Sequence, residues 1–206
     1  MTRAVAIDPL VPDTSVLTEA AAVLRRGGLV AFPTETFYGL GAAALQPAAV
    51  RRIVEVKGRP DGKPLLVLVD SLAMVDAIAL EVPPRARELM TRHWPGALTL
   101  VLRARPEVPG EVTAGSGTVG VRFSPHPVAR ALVTALGAPI TAPSANPSGR
   151  PAPTTAAQVR AYFADRVELV LDGGATAGGE PSTVLDVTVD PPRLIRAGAV
   201  RVSSCG

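Results

Sequence analysis

Val16, Leu17, Ala20, Ala21 and Leu24 recur at the three- and four-residue spacing of one helical face. Asp13 or Thr14 caps the start of that helix, and Gly27-Gly28 ends it. Leu29–Phe32 then reads as a short buried strand. Pro47 opens a second helix with Val50, Ile53 and Val54 facing inward. Leu65–Val69 is a continuous apolar run, the pattern of a strand covered on both faces. Pro84 starts a helix bearing Ala86, Leu89 and Met90, and Leu98–Leu102 and Val119–Val121 are further strands. Pro127 opens a helix with Val128, Leu132 and Leu136 at four-residue spacing, stopped by Gly137. A short strand at Pro139–Ala142 and a helix around Val159 and Phe163 follow. Strands near Val167–Leu171, Thr183–Val187 and Leu194–Arg196 finish the pattern. This alternation predicts an α/β fold, a single domain over 1–206 with a mixed sheet. The Pro/Gly-rich stretches Pro143–Pro153 and Asp172–Pro181 read as loops inside it, because apolar elements continue on both sides.

Composition narrows the chemistry. At 206 residues with 47% apolar side chains the chain buries a substantial core, and its net charge of +3 suits acidic ligands without marking a nucleic-acid binder. No apolar run approaches the roughly 18 residues that span a membrane. No signal peptide is visible, and the expected location is cytoplasmic, with no membrane partner. The sole cysteine, Cys205, excludes an internal disulfide and a cysteine-based zinc site. With only His93 and His126, a histidine-rich metal site is excluded and a Ser-His-Asp triad is poorly supported. His126, between two prolines, reads as a helix-entry residue, and His93 as structural. Neither GxxxxGK[ST] nor GxGxxG occurs.

Six windows carry candidate chemistry. Of the 21 basic residues only two are lysines, Lys57 and Lys63, and they bracket Arg59 in KGRPDGK. Three cations with two glycines and a proline can gather around a polyphosphate, although the same string also reads as a solvated turn. FPTETFYGLG (32–41) leaves a buried strand with hydroxyls at Thr34, Thr36 and Tyr38, at the kind of strand exit where α/β sheets bind ligands. TAPSANPSG (141–149) offers Ser144, Asn146 and Ser148 on a chain stiffened by proline, and it too reads as an ordinary turn when taken alone. A strand delivers Arg122 to its C-terminal end beyond Thr118. Ser182 and Arg196 close the set of strand-end polar groups. An enzyme with these residues works by positioning and electrostatics, without a protein nucleophile.

Taken together, FPTETFYGLG, KGRPDGKPL, HWPGALTLVL, TVGVRFSPHP, TAPSANPSG, PSTVLD and LIRAGAV occur in the order and spacing of one family. From about Gly27 to Val200 the chain resembles the YrdC-like threonylcarbamoyl-AMP synthases. The resemblance implies an α/β fold with a twisted mixed β-sheet flanked by helices and a deep cationic groove. It implies that L-threonine, bicarbonate and ATP give threonylcarbamoyl-adenylate and pyrophosphate, the adenylate passing to a tRNA threonylcarbamoyl transferase complex for N6-threonylcarbamoyladenosine formation. Carried over residue by residue, it implies ATP contacts at Arg59, Lys63, Thr118, Ser144 and Arg196, with Lys57 and Asn146 in the same wall. Lys57, Arg59 and Lys63 would act electrostatically. Thr34, Thr36, Arg122, the Ala142 backbone and Ser182 would hold threonine. Magnesium is expected to arrive with ATP, with no tightly bound cofactor.

Two departures from the family pattern stand out. Leu68 occupies a position where longer relatives carry a histidine touching threonine, and the additional C-terminal domain of the longer subfamily is expected to be absent. The rival reading is a module binding double-stranded RNA or tRNA, or an enzyme with weak RNA binding. With 3% aromatic residues the chain has few stacking platforms for it. A paralogue performing carbamoyl transfer in metalloenzyme maturation is the second rival. Its usual zinc-binding and acylphosphatase-like parts do not appear in this sequence.

Overall fold

The computed structural model describes residues 2–58 and 64–202. Helix starts follow the capping chemistry of the sequence. Asp13 accepts from the Ser15 and Val16 amides to start α1 (Thr14–Arg25). Proline occupies the first turn of α2 (Pro47–Lys57), where its missing N–H costs nothing. Ser71 caps α3 (Leu72–Ile78), and α4 (Pro84–His93) again begins with proline. After the single turn α5 (Gly110–Thr113), α6 (Pro127–Leu136) starts where the His126 ring nitrogen accepts from the Val128 amide. Thr155 and Gln158 form a reciprocal capping box on α7 (Ala156–Phe163).

Among the described residues ten strands fall into two sheets: β1 (Arg3–Ala6), β2 (Val30–Phe32), β3 (Gly39–Gly41), β4 (Leu66–Leu68), β5 (Leu98–Arg103), β6 (Thr118–Arg122), β7 (Ile140–Thr141), β8 (Leu169–Asp172), β9 (Thr183–Asp186) and β10 (Arg193–Arg196). One sheet has the order β1-β8-β2-β3 and the other β10-β9-β5-β6-β4-β7, both with parallel and antiparallel pairs. The α/β class matches the expectation, with the strands in two mixed sheets instead of one. The two are joined where edge strands β3 and β7 meet. The Thr141 amide donates to the Ala42 carbonyl at 3.0 Å and the Leu40 amide to the Pro143 carbonyl at 2.8 Å. Only glycine permits this closeness at Gly41, where a Cβ would lie 2.8 Å from both Phe32 and Ile140.

Alternation along each strand separates two apolar layers. Leu29 and Ala31 enter the larger core with α2, α4 and α7, while Val30 and Phe32 join α1 and α6 on the other side. Val170 similarly faces the first layer, and Leu169 and Leu171 the second. That double covering is why these strands read as unbroken apolar runs. The sheet containing β5 and β6 behaves differently. Leu98, Leu100, Leu102, Val119 and Val121 point into the core, and the intervening residues face a cavity. No helix among the described residues is long and apolar enough to cross a membrane.

Candidate functional site

The cavity, about 600 Å³, lies on the face of β5, β6 and β9 that the core does not use. Thr99, Val101, Thr118, Gly120, Arg122 and Val184 form its floor, each the strand neighbour of a core residue. Its walls are three loops. The segment after β2 contributes Thr34 and Thr36, the segment after β7 Ala142 and Ser144, and the chain around β9 and β10 Ser182, Ile195 and Arg196. Eight sequence-predicted residues therefore meet around one space: Thr34, Thr36, Thr118, Arg122, Ala142, Ser144, Ser182 and Arg196. They come from windows up to 162 positions apart, and backbone bonds lace those windows together. Tyr38 donates to Pro153, Ala145 to Tyr38, and Gly178 to Thr36, at 2.7–2.9 Å.

Charge inside the cavity is one-sided. Among the described residues its lining holds two arginines, Arg122 and Arg196, and no carboxylate. Arg196 donates through Nε and Nη2 to the Ser182 carbonyl at 3.1 and 2.8 Å, and through Nη2 to Ser182 Oγ at 3.1 Å. Ser182 Oγ lies 2.9 Å from Thr99 Oγ1 on the floor. The return of the chain after β10 fixes this corner. The Ala199 amide donates to Pro181, and a Cβ at Gly198 would stand 2.2 Å from the Pro181 carbonyl oxygen. Burial pulls the Arg196 pKa below its ordinary value, as expected for a cation lifted out of water.

Arg122 is more deeply placed, at 4% exposure. Burial lowers its pKa most, the Glu35 carboxylate opposes that, and the nearby Arg196 adds to the lowering. Glu35 Oε1 stands 3.1 Å from Arg122 Nη1, while Ser124 Oγ donates to Glu35 Oε2 at 2.6 Å. The 3.1 Å contact is an ion pair without hydrogen-bond geometry: Glu35 Oε1 and Arg122 Nε have no hydrogen-bond partner. Thr34 Oγ1 donates to the Phe37 carbonyl at 2.6 Å and lies 3.4 Å from Thr36 Oγ1, so the turn holds both hydroxyls at the wall. The Ala142 amide is engaged by the Leu66 carbonyl at 2.8 Å. Thr118 Oγ1 is 2.8 Å from Ser116 Oγ.

Two expected wall residues stand behind the wall instead. Lys57 is 4% exposed, and its ammonium donates to the Ser144 and Asn146 carbonyls, each at 2.5 Å. The physical reason is position. At the last turn of α2, its stem runs under the 141–149 loop, and two carbonyls two residues apart converge on one point charge. Asn146 is buried as well, its amide donating to Pro147 and Arg150 carbonyls at 2.9 and 2.8 Å. Both residues shape the loop that presents Ser144. Arg59 and Lys63 lie outside the described residues. Leu68 packs in the layer of α1 and α6 and is not part of the cavity lining, so its apolar side chain serves the core.

Sequence reading passed over Glu35, Ser124 and Thr99. Thr99 carried a legible signal, a hydroxyl inside the apolar run Leu98–Leu102. Glu35 carried a weaker one, an acid between two threonines already singled out. His126 caps α6 as expected, and burial holds its pKa below the ordinary value despite the attraction of Glu35. Chemically, the cavity can hold a carboxylate or phosphates on guanidinium groups, with hydroxyls and backbone around them. Among the described residues its lining carries hydroxyls but no cysteine, lysine or histidine.

The profile of the Sua5/yciO/yrdC family, described as "Telomere recombination", matches residues 22–198. The threonylcarbamoyl-AMP synthase of Pyrococcus abyssi is 48% identical over 181 residues, covering 88% of this chain and 53% of the relative. That of Bacillus subtilis is 45% identical over 194 residues, 94% of this chain and 56% of the relative. The chain thus spans a little over half the length of these curated relatives. The crystal structure of P. abyssi Sua5 complexed with L-threonine superposes with a TM-score of 0.92 at 45% identity, over 96% of this chain and 58% of that one. E. coli YciO gives 0.90 at 29% identity, over 98% of both chains.

Proposed function

We infer that this chain, which belongs to the Sua5/YciO/YrdC family, is an enzyme that condenses L-threonine, bicarbonate and ATP to threonylcarbamoyl-adenylate and pyrophosphate. The observation that carries the reading is the cavity itself, whose lining among the described residues has two guanidinium groups, several hydroxyls and no carboxylate. Such a lining selects a ligand with several anionic groups. The L-threonine complex of a relative 45% identical supports threonine as one of them.

In this reading Arg122 holds the threonine carboxylate, with Thr34, Thr36, Ser182 and the Ala142 backbone around the rest of the amino acid. Arg196, Thr118 and Ser144 face ATP, joined by Arg59 and Lys63, while Lys57 and Asn146 hold the Ser144 loop. The threonine nitrogen bonds to the carbon of bicarbonate-derived CO₂ and loses a proton, giving a carbamate. A carbamate oxygen then attacks the α-phosphorus in line, and the bond to the β-phosphate oxygen breaks as pyrophosphate leaves. The chain supplies positioning and charge neutralisation. Magnesium is proposed to arrive with the phosphates of its substrate, Mg-ATP.

The adenylate is a mixed anhydride, and the consumer proposed for it is a tRNA threonylcarbamoyl transferase complex working in the cytoplasm. Pyrophosphate release is the test. It should require threonine and bicarbonate together. Release without threonine, or breakdown of ATP to ADP and phosphate, would refute the assignment. Tight duplex RNA binding with a steep salt dependence and no pyrophosphate would favour the rival module.

A further inference from the structure

Arg122 is a buried cation with an incomplete set of partners. Taking a guanidinium out of water is costly unless a counter-ion and hydrogen bonds replace the solvent. Glu35 supplies the counter-ion at 3.1 Å, yet neither its Oε1 nor Arg122 Nε completes a hydrogen bond. Ser124 Oγ donates to the other carboxylate oxygen at 2.6 Å and so ties the carboxylate from its far side. Thr34 and Thr36 on either side of Glu35 line the cavity, whereas Glu35 itself is not part of the lining and meets Arg122 outside it. Among the described residues, Arg122 and Arg196 together with Glu35 leave one positive charge unbalanced at this end of the site. A single incoming carboxylate would balance it.

We propose that Glu35 is a positioning residue that acts through Arg122, holding its guanidinium in place while withholding part of its charge from the bound carboxylate, with Ser124 setting how much. The proposal rests on the reading of Arg122 as the partner of threonine's carboxylate. That carboxylate takes no part in the chemistry and is the same in substrate and product. Binding it more tightly therefore accelerates no step and slows release of the adenylate. A built-in counter-ion keeps the contact specific without making it strong.

The two residues can be perturbed in opposite directions. In Glu35→Gln the amide oxygen can still face Arg122 while its NH₂ donates to Ser124, so the shape persists and the charge goes. In Ser124→Ala the charge persists and the carboxylate is free to close on Arg122. Calorimetric titration of L-threonine into the full chain should give a Kd about tenfold lower for Glu35→Gln, the factor expected when a competing charge is removed from a partly buried pair. Ser124→Ala should raise the Kd several-fold. General damage would weaken binding in both variants, so the opposite signs are the discriminating result.

L-threoninamide, which lacks the carboxylate, should gain nothing from Glu35→Gln. An unchanged or weaker threonine affinity in Glu35→Gln overturns the proposal, as does an equal gain for threoninamide. If Glu35→Gln does not fold, Ser124→Ala decides: unchanged or tighter binding there overturns it too. Failure of the unaltered protein to bind threonine at all would remove the threonine reading, and this inference with it.

Discussion

Lys57→Met separates a brace from a ligand contact. Methionine keeps the length of the lysine stem and removes the ammonium that now donates to the Ser144 and Asn146 carbonyls, each at 2.5 Å. A hydrogen bond to a charged group contributes about 1.5–3 kcal/mol, and two buried carbonyls would lose theirs together. Removing a buried ammonium also relieves its desolvation, which offsets part of the loss. A net destabilisation of about 2–4 kcal/mol remains. Against a urea slope of about 2 kcal/mol/M, the unfolding midpoint should fall by roughly 1–2 M. Lys57→Arg should restore little of it, because a planar fork does not place its donors where a compact ammonium does. A midpoint shift below about 0.3 M together with lost activity would mean that Lys57 serves a ligand and not the loop.

Arg59→Ala and Lys63→Ala should each cost on the order of 10²–10³ in the rate of pyrophosphate release, as loss of one preorganised charge contact does. Gly198→Ala should weaken threonine binding and lower thermal stability, because the new Cβ would stand 2.2 Å from the Pro181 carbonyl oxygen and push Ser182 off its place; an unchanged Kd and melting temperature would refute the account of that corner. The folded-state pKa of His126 lies below its ordinary value of about 6.5, so the unfolded chain takes up the proton first. Stability should therefore be lost as pH falls below about 6.5, and His126→Asn, which can still cap α6, should flatten that part of the urea-midpoint profile. Threonine should be preferred over serine by the roughly 1–3 kcal/mol that a methyl group confers, and over valine by more, since valine leaves polar lining unpaired; equal kcat/KM for valine would remove Thr36 and Ser182 from the threonine pocket.

Where the sequence pattern was legible, side-chain burial alone decided the element. The apolar runs Leu29–Phe32, Leu65–Val69 and Leu98–Leu102 became β2, β4 and β5 because apolar layers cover them. β3 was not legible, since Gly-Leu-Gly has poor strand propensity and becomes a strand through its pairing with β2 and its closeness to β7. β1 and α3 are short elements whose apolar residues show no full period, and their existence depends on β8 and on the Ser71 cap. One sheet became two for a related reason: the seam joins Ala42–Ala44, where no strand pattern exists to be read, to the two-residue strand β7, whose apolar run was legible but whose pairing partners were not.

The site divides along the same line. Hydroxyls and arginines at strand ends were legible because strand alternation places them outside the core, and seven of them do share one cavity. What those charges do there depends on partners distant in sequence. Lys57 meets carbonyls 87 and 89 positions away, and Arg122 meets an acid from a different loop. Nothing local distinguishes a lysine that meets carbonyls from one that meets phosphate. The scarcity of lysine beside 19 arginines nevertheless singled out Lys57, which meets two carbonyls of the 141–149 loop. A single point charge under a bent loop can satisfy two converging carbonyls, and a guanidinium of fixed planar geometry cannot replace it there. The residue type thus drew attention to a position where two backbone carbonyls meet one ammonium, and Lys57→Met tests whether that ammonium also serves a ligand.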